Sequence, residues 1–168
     1  MIIYCTRKLE TFIPVLKKTT EIIENYWLAQ ILSIGGKKSI IFIEKKTLYC
    51  VMIINIQKKN FPNIKEIFLR EFTDQLVADR IICSEMAMQK IVNDCSELLF
   101  YETNNDQKTL GTLRDNILHL KSYIEDKPDK IFAAKIFVRE SINNILLGSR
   151  KYAKSRQLMD IEIGDLKM

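Results

Sequence analysis

The sequence predicts an α+β fold in which a mainly antiparallel sheet of four or five strands packs against three larger helices. Between residues 28 and 56, three runs rich in β-branched and aromatic residues are separated by connections of hairpin length. From residue 63 onward the apolar residues instead recur every three or four positions, as they do on the buried face of a helix. The first pattern predicts the sheet, and the second predicts the helices that cover it.

The chain begins with a short β-type run at residues 2–6. Thr6 is then a candidate N-cap for a short helix, whose length Pro14 limits. Residues 21–27 are predicted to form a second brief helix. The apolar positions with helical spacing in the first of these helices are Leu9, Phe12, Ile13 and Leu16.

The clearest strands are predicted at residues 28–34, 38–44 and 47–56. Gly35–Gly36 and Lys45–Lys46 separate them, and such short connections favour antiparallel neighbours because parallel strands need long crossovers. The third run is almost continuously apolar, which is typical of a central strand covered on both faces.

Helical periodicity follows after Pro62. Asn63 and Glu66 have the spacing of a capping box, and Ser84 is a second predicted N-cap. Residues 98–102 are predicted to form a fifth strand. The two helices before that strand have the apolar stripes Ile64, Ile67, Phe68, Phe72, Leu76 and Met88, Ile91, Val92, Cys95.

The last third of the chain is predicted to hold two helices. The first carries the apolar stripe Leu110, Leu113, Ile117, Leu120, Ile124, and the second runs over residues 129–147 with Gly148 as its C-terminal stop. After Tyr152 the chain is polar, and we expect this tail to fray. Residues 1–168 as a whole are interpreted as one globular domain, since 47% hydrophobic and 28% charged residues are ordinary for such a domain.

The cysteines and the single histidine do not favour a metal site. Cys5, Cys50, Cys83 and Cys95 include no closely spaced pair, and His119 is distant from all of them in sequence. We therefore predict no metal and no cofactor, with Cys5 and Cys50 as buried apolar residues. No signal peptide and no membrane-spanning run is recognisable, so the predicted location is the cytoplasm, with no membrane partner.

No catalytic residues are predicted. His119 falls on the outer face of its helix, and Gly35–Gly36 precedes a strand rather than a helix, which does not suit a phosphate-binding loop. The carboxylates Asp74 and Asp79 lie on charged helical faces and are expected to be solvated.

Two segments are candidates for binding. The polar loop at residues 103–108 leads into a helix, and its amides either bind a ligand or build turns and caps. The ligand-binding candidates there are Asn104, Asn105, Arg114 and Asp115.

The second segment is the densest cationic stretch of a chain with a net charge of +5. No acidic residue occurs between Ser141 and Met159, and an aromatic residue, Tyr152, lies among the basic ones. Such a stretch favours phosphate contacts with nucleic acid, although cations also complement the dipole at a helix terminus. The candidate nucleic-acid-binding residues are Arg150, Lys151, Lys154 and Arg156.

Several short motifs resemble those of a known family. They are, in chain order, Ile3-x-Cys5-Thr6-x-Lys8-Leu9, Lys46-Thr47-Leu48, Leu110-Gly111-Thr112-Leu113-Arg114-Asp115, and Asn143 to Gly148 followed by Lys151-Tyr152. Their order is similar to that in a bacterial family of about this length, catalogued as a domain of unknown function. The resemblance implies a single domain and supplies no reaction.

The chain departs from that family in its third motif. The family has a motif similar to Leu-Gly-Ser-Met-Asn-Asp, with Arg-Ser shortly before it, whereas this chain has Arg114 at the Asn position and Gln107–Lys108 in place of Arg-Ser. The resemblance therefore does not imply any ligand contact that depends on that family arginine.

Three functional hypotheses follow from the sequence. The leading hypothesis is a non-enzymatic binding or interaction protein with a protein partner. The alternative is nucleic-acid binding through the C-terminal basic segment. A further alternative is a small-molecule enzyme or sensor at the 104–115 loop, which requires a pocket there with convergent polar groups.

Overall fold

The computed structural model describes residues 1–14, 16–18, 23–82, 84–95 and 97–165. Five strands form one sheet: β1 (Ile2–Cys5), β2 (Trp27–Ile34), β3 (Lys37–Glu44), β4 (Cys50–Ile54) and β5 (Leu99–Tyr101). Their order across the sheet is β4-β3-β2-β1-β5. The pairs β2–β3 and β3–β4 are antiparallel, whereas β1 is parallel to both β2 and β5. The antiparallel ladders are the longer ones, which confirms the predicted α+β class.

Six α-helices accompany the sheet within the described part of the chain. They are α1 (Arg7–Glu10), α2 (Ile64–Ala78), α3 (Glu85–Asp94), α4 (Gln107–Ile124), α5 (Lys130–Glu140) and α6 (Ser155–Asp165). A short hairpin of β6 (Leu146–Leu147) and β7 (Ala153–Lys154) precedes α6. None of the described helices is long and apolar enough to cross a membrane.

Helices cover both faces of the sheet. Because side chains alternate between faces along each strand, a single strand contributes to the core on either side. On β2, Trp27, Ala29 and Ile31 pack in one core with α2, α3 and α6. Leu28 and Leu32 from the same strand pack in the other core, against α4 and α5. The result is three layers, helix–sheet–helix, with an apolar core on each side of the sheet.

The hairpin between β2 and β3 forms at the two glycines, as predicted. Gly35 and Gly36 have φ angles of +54° and +76°, a left-handed conformation that glycine adopts without a Cβ clash.

The prediction that the third apolar run is a central strand was wrong, because β4 lies at the edge of the sheet. Helices α2 and α5 both contact β4, so its two faces are as buried as those of a central strand. Its open edge is also occupied at Cys50, whose N–H donates to Asn143 Oδ1 and whose carbonyl accepts from Gln75 Nε2. An edge strand covered in this way has the composition of an interior one.

Two of the three predicted helix caps differ from expectation. Ser84 Oγ accepts from Ala87 N at 3.2 Å and caps α3 as predicted. Asn63 makes no side-chain cap, because the chain enters α2 through a 3-10 helix at Lys58–Asn63 whose own capping box joins Gln57 and Asn60. The side chain of Thr6 likewise makes no capping hydrogen bond to α1.

The final predicted helix is shorter than expected. It ends at Glu140 rather than residue 147, and a 3-10 turn at Ile142–Asn144 follows. The buried Asn143 turns away to bond β4, which is incompatible with continuing the helix. Gly148 therefore does not stop α5 but opens a 3-10 turn in the β6–β7 connection.

The polar tail contains a helix within the described residues. Residues 155–165 form α6, whose Met159 and Ile163 are 3% and 4% exposed in the core. These two apolar residues pack the helix against the core, and the fraying expected from the polar composition of the tail stays a prediction. The helix predicted at 21–27 lies partly outside the described residues; residues 23–26 are not helical, and Trp27 begins β2.

Candidate functional site

The parallel part of the sheet brings two loops together. β1 and β5 are adjacent and parallel, with Tyr4 opposite Tyr101, so both strands end at the same edge. The segment after β1 leads into α1, and the segment after β5 leads into α4. In sheets with parallel strands, ligands commonly bind beyond such carboxyl ends.

A cleft of about 450 Å³ lies at this edge. Its volume is in the range of small-molecule sites. Side chains from β2, α4 and the segments that follow β1 and β5 line it: Thr6, Arg7, Lys8, Gln30, Thr103, Asn105, Gln107, Leu110 and Arg114.

The loop between β5 and α4 is held in place by its own polar groups. Thr103 N donates to Glu10 Oε1 at 2.8 Å, and Asp106 N donates to Asn104 Oδ1 at 3.2 Å. Asp106 also accepts from Tyr26 Oη at 2.6 Å. These bonds hold the loop against β2 and α1, and so set the position of the cleft wall.

Asp106 is committed to this structural role. Its Oδ1 caps α4 by accepting from Lys108 N and Thr109 N, and its Oδ2 accepts from Thr109 Oγ1. Burial acts to raise the pKa of Asp106, but the hydrogen bonds from Thr109, Tyr26 and the helix N-terminus outweigh it and hold the pKa below the ordinary value. Asp106 is therefore an ionised cap at neutral pH.

The four predicted ligand-binding residues divide into two pairs. Asn105 and Arg114 both line the cleft, although nine positions separate them in the chain. Asn104 is instead part of the loop scaffold, and Asp115 is exposed on α4 without lining the cleft.

The cleft is strongly cationic. Arg7, Lys8 and Arg114 line it, and no carboxylate does so among the described residues. Arg7, Lys8 and Arg114 are all exposed, and none of them forms an ion pair within the part of the chain that the structure describes. Such a concentration of one charge sign attracts anions.

Two further polar groups of the cleft lack protein partners. Thr6 is 9% exposed, and its Oγ1 is buried without a hydrogen bond among the described residues. Gln30 is half-buried on the β2 face that otherwise carries Leu28 and Leu32, and the described residues offer its amide no hydrogen bond. The half-buried amide of Gln30 can therefore bond to a ligand in the cleft, whereas Thr6 Oγ1 is enclosed by the protein and offers a ligand no accessible surface.

The described lining of the cleft includes no histidine, cysteine or carboxylate. Cys5 precedes Thr6, but burial, together with the nearby Glu10, raises the pKa of its thiol to about 12, so it is neutral and unreactive. His119 is exposed on α4, as predicted, and does not line the cleft. The described residues also include no cluster of His, Cys, Asp and Glu that could hold a metal ion.

The sequence interpretation missed the part of the site that comes from β1 and β2. None of Thr6, Arg7, Lys8 and Gln30 was selected as a site residue; Thr6 was predicted as a helix cap, and Thr6 and Lys8 belong to the first family-like motif. One signal was present: Gln30 is a polar residue at the centre of a mostly apolar strand. Its meaning becomes clear only once β1 is known to lie between β2 and β5.

The predicted nucleic-acid-binding residues have mixed roles. Arg150 donates to the backbone carbonyls of Lys45 and Lys46 at 3.1 and 3.0 Å, and Arg156 donates to the carbonyl of Asp79. Lys151 is exposed and Lys154 half-buried on the hairpin beside Tyr152, which is 72% exposed. Both arginines thus tie the C-terminal segment to the rest of the fold.

The expectation that Asp79 is solvated was wrong, because it is only 3% exposed. Its Oδ2 accepts from Tyr49 Oη at 2.5 Å, and Arg139 Nε lies 3.7 Å from its Oδ1. Burial raises the pKa of Asp79, while the Tyr49 hydrogen bond and the nearby arginines oppose the shift. This cluster joins α2, β4 and α5 and is structural.

Comparison with known proteins identifies one family. The model of the family described as "Domain of unknown function (DUF6933)" matches residues 2–158. No curated protein and no solved structure matches the chain. Two of the motifs on which the sequence resemblance was based contribute residues to the cleft: Thr6 and Lys8 from the first, and Leu110 and Arg114 from the third.

Proposed function

The chain belongs to the DUF6933 family, a domain of unknown function, and we propose that it is a non-enzymatic domain that binds a small anion in the cleft lined by β2, α4 and the segments that follow β1 and β5. The observation that carries the proposal is the charge of the cleft. Arg7, Lys8 and Arg114 line it without a carboxylate among the described lining residues. An anion that neutralises them removes the mutual repulsion of three like charges.

The chemistry of the lining residues supports binding rather than turnover. The side chains that face the cleft are cationic, amide, hydroxyl or aliphatic, and none of these types commonly exchanges protons near neutral pH. Arginine in particular recognises planar or tetrahedral anions through several parallel hydrogen bonds.

The C-terminal basic segment offers less for an anionic partner. Arg150 and Arg156 already bond to main-chain carbonyls, which leaves Lys151 and Lys154 as its outward cations. We therefore rank anion binding in the cleft above the nucleic-acid hypothesis. A protein partner and a cytoplasmic location stay predictions.

Thermal unfolding with a panel of small anions tests the proposal. At an anion concentration of 100 times Kd, binding to the folded state adds about 2.7 kcal/mol to the free energy of unfolding. For a domain of this size that corresponds to a rise in Tm of about 5–10 °C. Phosphate, sulfate, phosphate esters and carboxylates, compared at constant ionic strength, form the panel.

Arg114→Ala should abolish most of the anion-dependent rise in Tm. Lys121→Ala is the matched control, since Lys121 is an exposed cation on the same helix that does not line the cleft. Equal responses of the wild type and Arg114→Ala, or no response to any anion in the panel, would contradict the proposal.

A further inference from the structure

We infer that the anion bound in this cleft is a phosphate monoester of a small polyol, of the kind that phosphorylated sugars represent; the inference rests on the proposed function. It follows from two properties of the cleft taken together. The lining combines three cations with uncharged amide and hydroxyl side chains, and so favours a ligand that has both a strongly anionic group and uncharged polar groups.

Arg7, Lys8 and Arg114 favour a strongly anionic group on the ligand. A phosphate monoester carries a charge of about −1.5 to −2 at neutral pH and presents three strong acceptor oxygens. A single carboxylate carries one charge and two oxygens, and it leaves the three cations under-neutralised. Two arginines and one lysine therefore match a phosphoryl group better than a carboxylate.

Gln30, Asn105 and Gln107 favour hydroxyl groups on the uncharged part of the ligand. Each amide offers both donors and acceptors, and so does a hydroxyl group. A polyol can pair with all three amides. A hydrocarbon chain would leave these groups unsatisfied.

The cleft is a poor match for a nucleobase. Its described lining contains no aromatic ring on which a base could stack, and Leu110 is its only apolar side chain. Since stacking supplies much of the affinity for a base, a nucleotide should gain little from its base here.

Isothermal titration calorimetry at constant ionic strength tests the inference. The probes are inorganic phosphate, triose, pentose and hexose phosphates, the unphosphorylated sugars, a dicarboxylate and adenosine monophosphate. We expect at least one sugar phosphate to bind about tenfold or more tightly than inorganic phosphate, and the unphosphorylated sugars to show no measurable binding.

Two variants test the contacts with the polyol and with the phosphoryl group separately. Gln30→Leu should fold, because its neighbours on the same face of β2 are Leu28 and Leu32. It should reduce the affinity for the sugar phosphate by a larger factor than the affinity for inorganic phosphate, and so lower the preference for the ester. Arg114→Ala should weaken both ligands, and Lys121→Ala neither.

The outcomes distinguish this inference from the proposed function. The inferred ligand class is wrong if the dicarboxylate or adenosine monophosphate binds most tightly, or if every sugar phosphate binds no better than inorganic phosphate. Anion binding that depends on Arg114 would still support the proposed function in either case. Gln30→Leu without effect on the preference for the ester would also overturn the inference. If no probe binds, both the inference and the proposed function are wrong.

Discussion

Replacing Asn143 by alanine should remove the side-chain hydrogen bonds that cover the outer edge of β4 and so destabilise the fold. Asn143 is fully buried, and its side chain pairs with the backbone of Cys50 as a neighbouring strand would: Oδ1 accepts from Cys50 N at 2.8 Å, and Nδ2 donates to Cys50 O at 2.9 Å. The same carbonyl also accepts from Gln75 Nε2 at 2.8 Å. The substitution therefore leaves the Cys50 carbonyl with one partner and its N–H with none.

The loss of stability comes mainly from the Cys50 N–H, because the carbonyl keeps one partner and the N–H keeps none. A buried donor without a partner costs about 1–3 kcal/mol. Removing the amide from a fully packed site adds a cavity cost of about 1 kcal/mol, so Asn143→Ala should lower the free energy of unfolding by about 2–4 kcal/mol. Gln75→Ala is the control, because it removes one of two donors to the carbonyl and should cost about 0.5–1.5 kcal/mol.

Asn143→Asp tests the direction of the hydrogen bonds. The shape is kept, but an oxygen replaces the donor that faces the Cys50 carbonyl, and the new carboxylate is buried. Its pKa in the folded state is therefore raised above the unfolded value of about 3.9. The stability of the variant relative to wild type should be greatest below that value and should fall as the pH rises through the folded pKa.

Urea unfolding followed by the fluorescence of Trp27, the single tryptophan, measures these differences. Trp27 is 5% exposed and packs against Phe68 and Phe72, so its emission should report loss of the core. The proposed role of Asn143 at the edge of β4 is refuted by either of two results. One is that Asn143→Ala lowers the free energy of unfolding by no more than Gln75→Ala does. The other is that the stability difference between Asn143→Asp and the wild type does not depend on pH.

Three further predictions concern other parts of the fold. Because burial raises the folded pKa of Asp79, the stability of the wild type relative to Asp79→Asn should fall as the pH rises from about 4 through that pKa; a pH-independent difference in urea unfolding would contradict this. The Cys5 thiol, with its pKa raised to about 12, should resist alkylation by iodoacetamide at pH 8 until urea unfolds the protein. Peptide mass spectrometry measures the labelling, and rapid labelling of the folded protein would count against the burial of Cys5. Arg150→Ala should lower the free energy of unfolding by about 1–2 kcal/mol, because it removes two hydrogen bonds to backbone carbonyls. Lys151→Ala should change it by less than about 0.5 kcal/mol, and equal thermal unfolding of the two variants would argue against the anchoring role of Arg150.

The antiparallel part of the sheet could be predicted because its determinants are local. The two glycines and the apolar runs on either side of them lie within a few residues of one another, and they specify the β2–β3 hairpin without reference to the rest of the chain. The stripes of α2 and α4 are local in the same sense. These elements agree with the predicted ones to within a few residues at each end.

The misassigned elements depend on distant partners. The apolar residues beyond Glu140 favour a longer helix, but Asn143 leaves the helix to bond Cys50, 93 positions earlier in the chain. Asp79 resembles any charged residue near a helix end, but Tyr49 lies against it in the folded state. In both cases a specific long-range hydrogen bond overrides the local pattern, and no local periodicity records it.

The candidate site was half predictable for the same reason. Asn105 and Arg114 lie on one loop and the helix that follows it, so their closeness could be inferred from the sequence. Thr6, Arg7 and Lys8 reach the same cleft only because β1 pairs with β5, and the residues paired there are 97 positions apart. Parallel pairing over such a separation has no signature in either strand alone.

This division follows from the geometry of a mixed sheet. An antiparallel hairpin ends in a tight turn that is largely satisfied by its own backbone, so the β2–β3 end has few side chains free to bind a ligand. Parallel strands end side by side, and each is followed by a segment that must leave the sheet, which sets two loops facing each other. In this chain β1 is the only described strand that is parallel to both of its neighbours, and the unpaired cations follow it directly at Arg7 and Lys8. The meander and its helices therefore supply the rigid core, and the insertion of β1 between β2 and β5 creates the cleft.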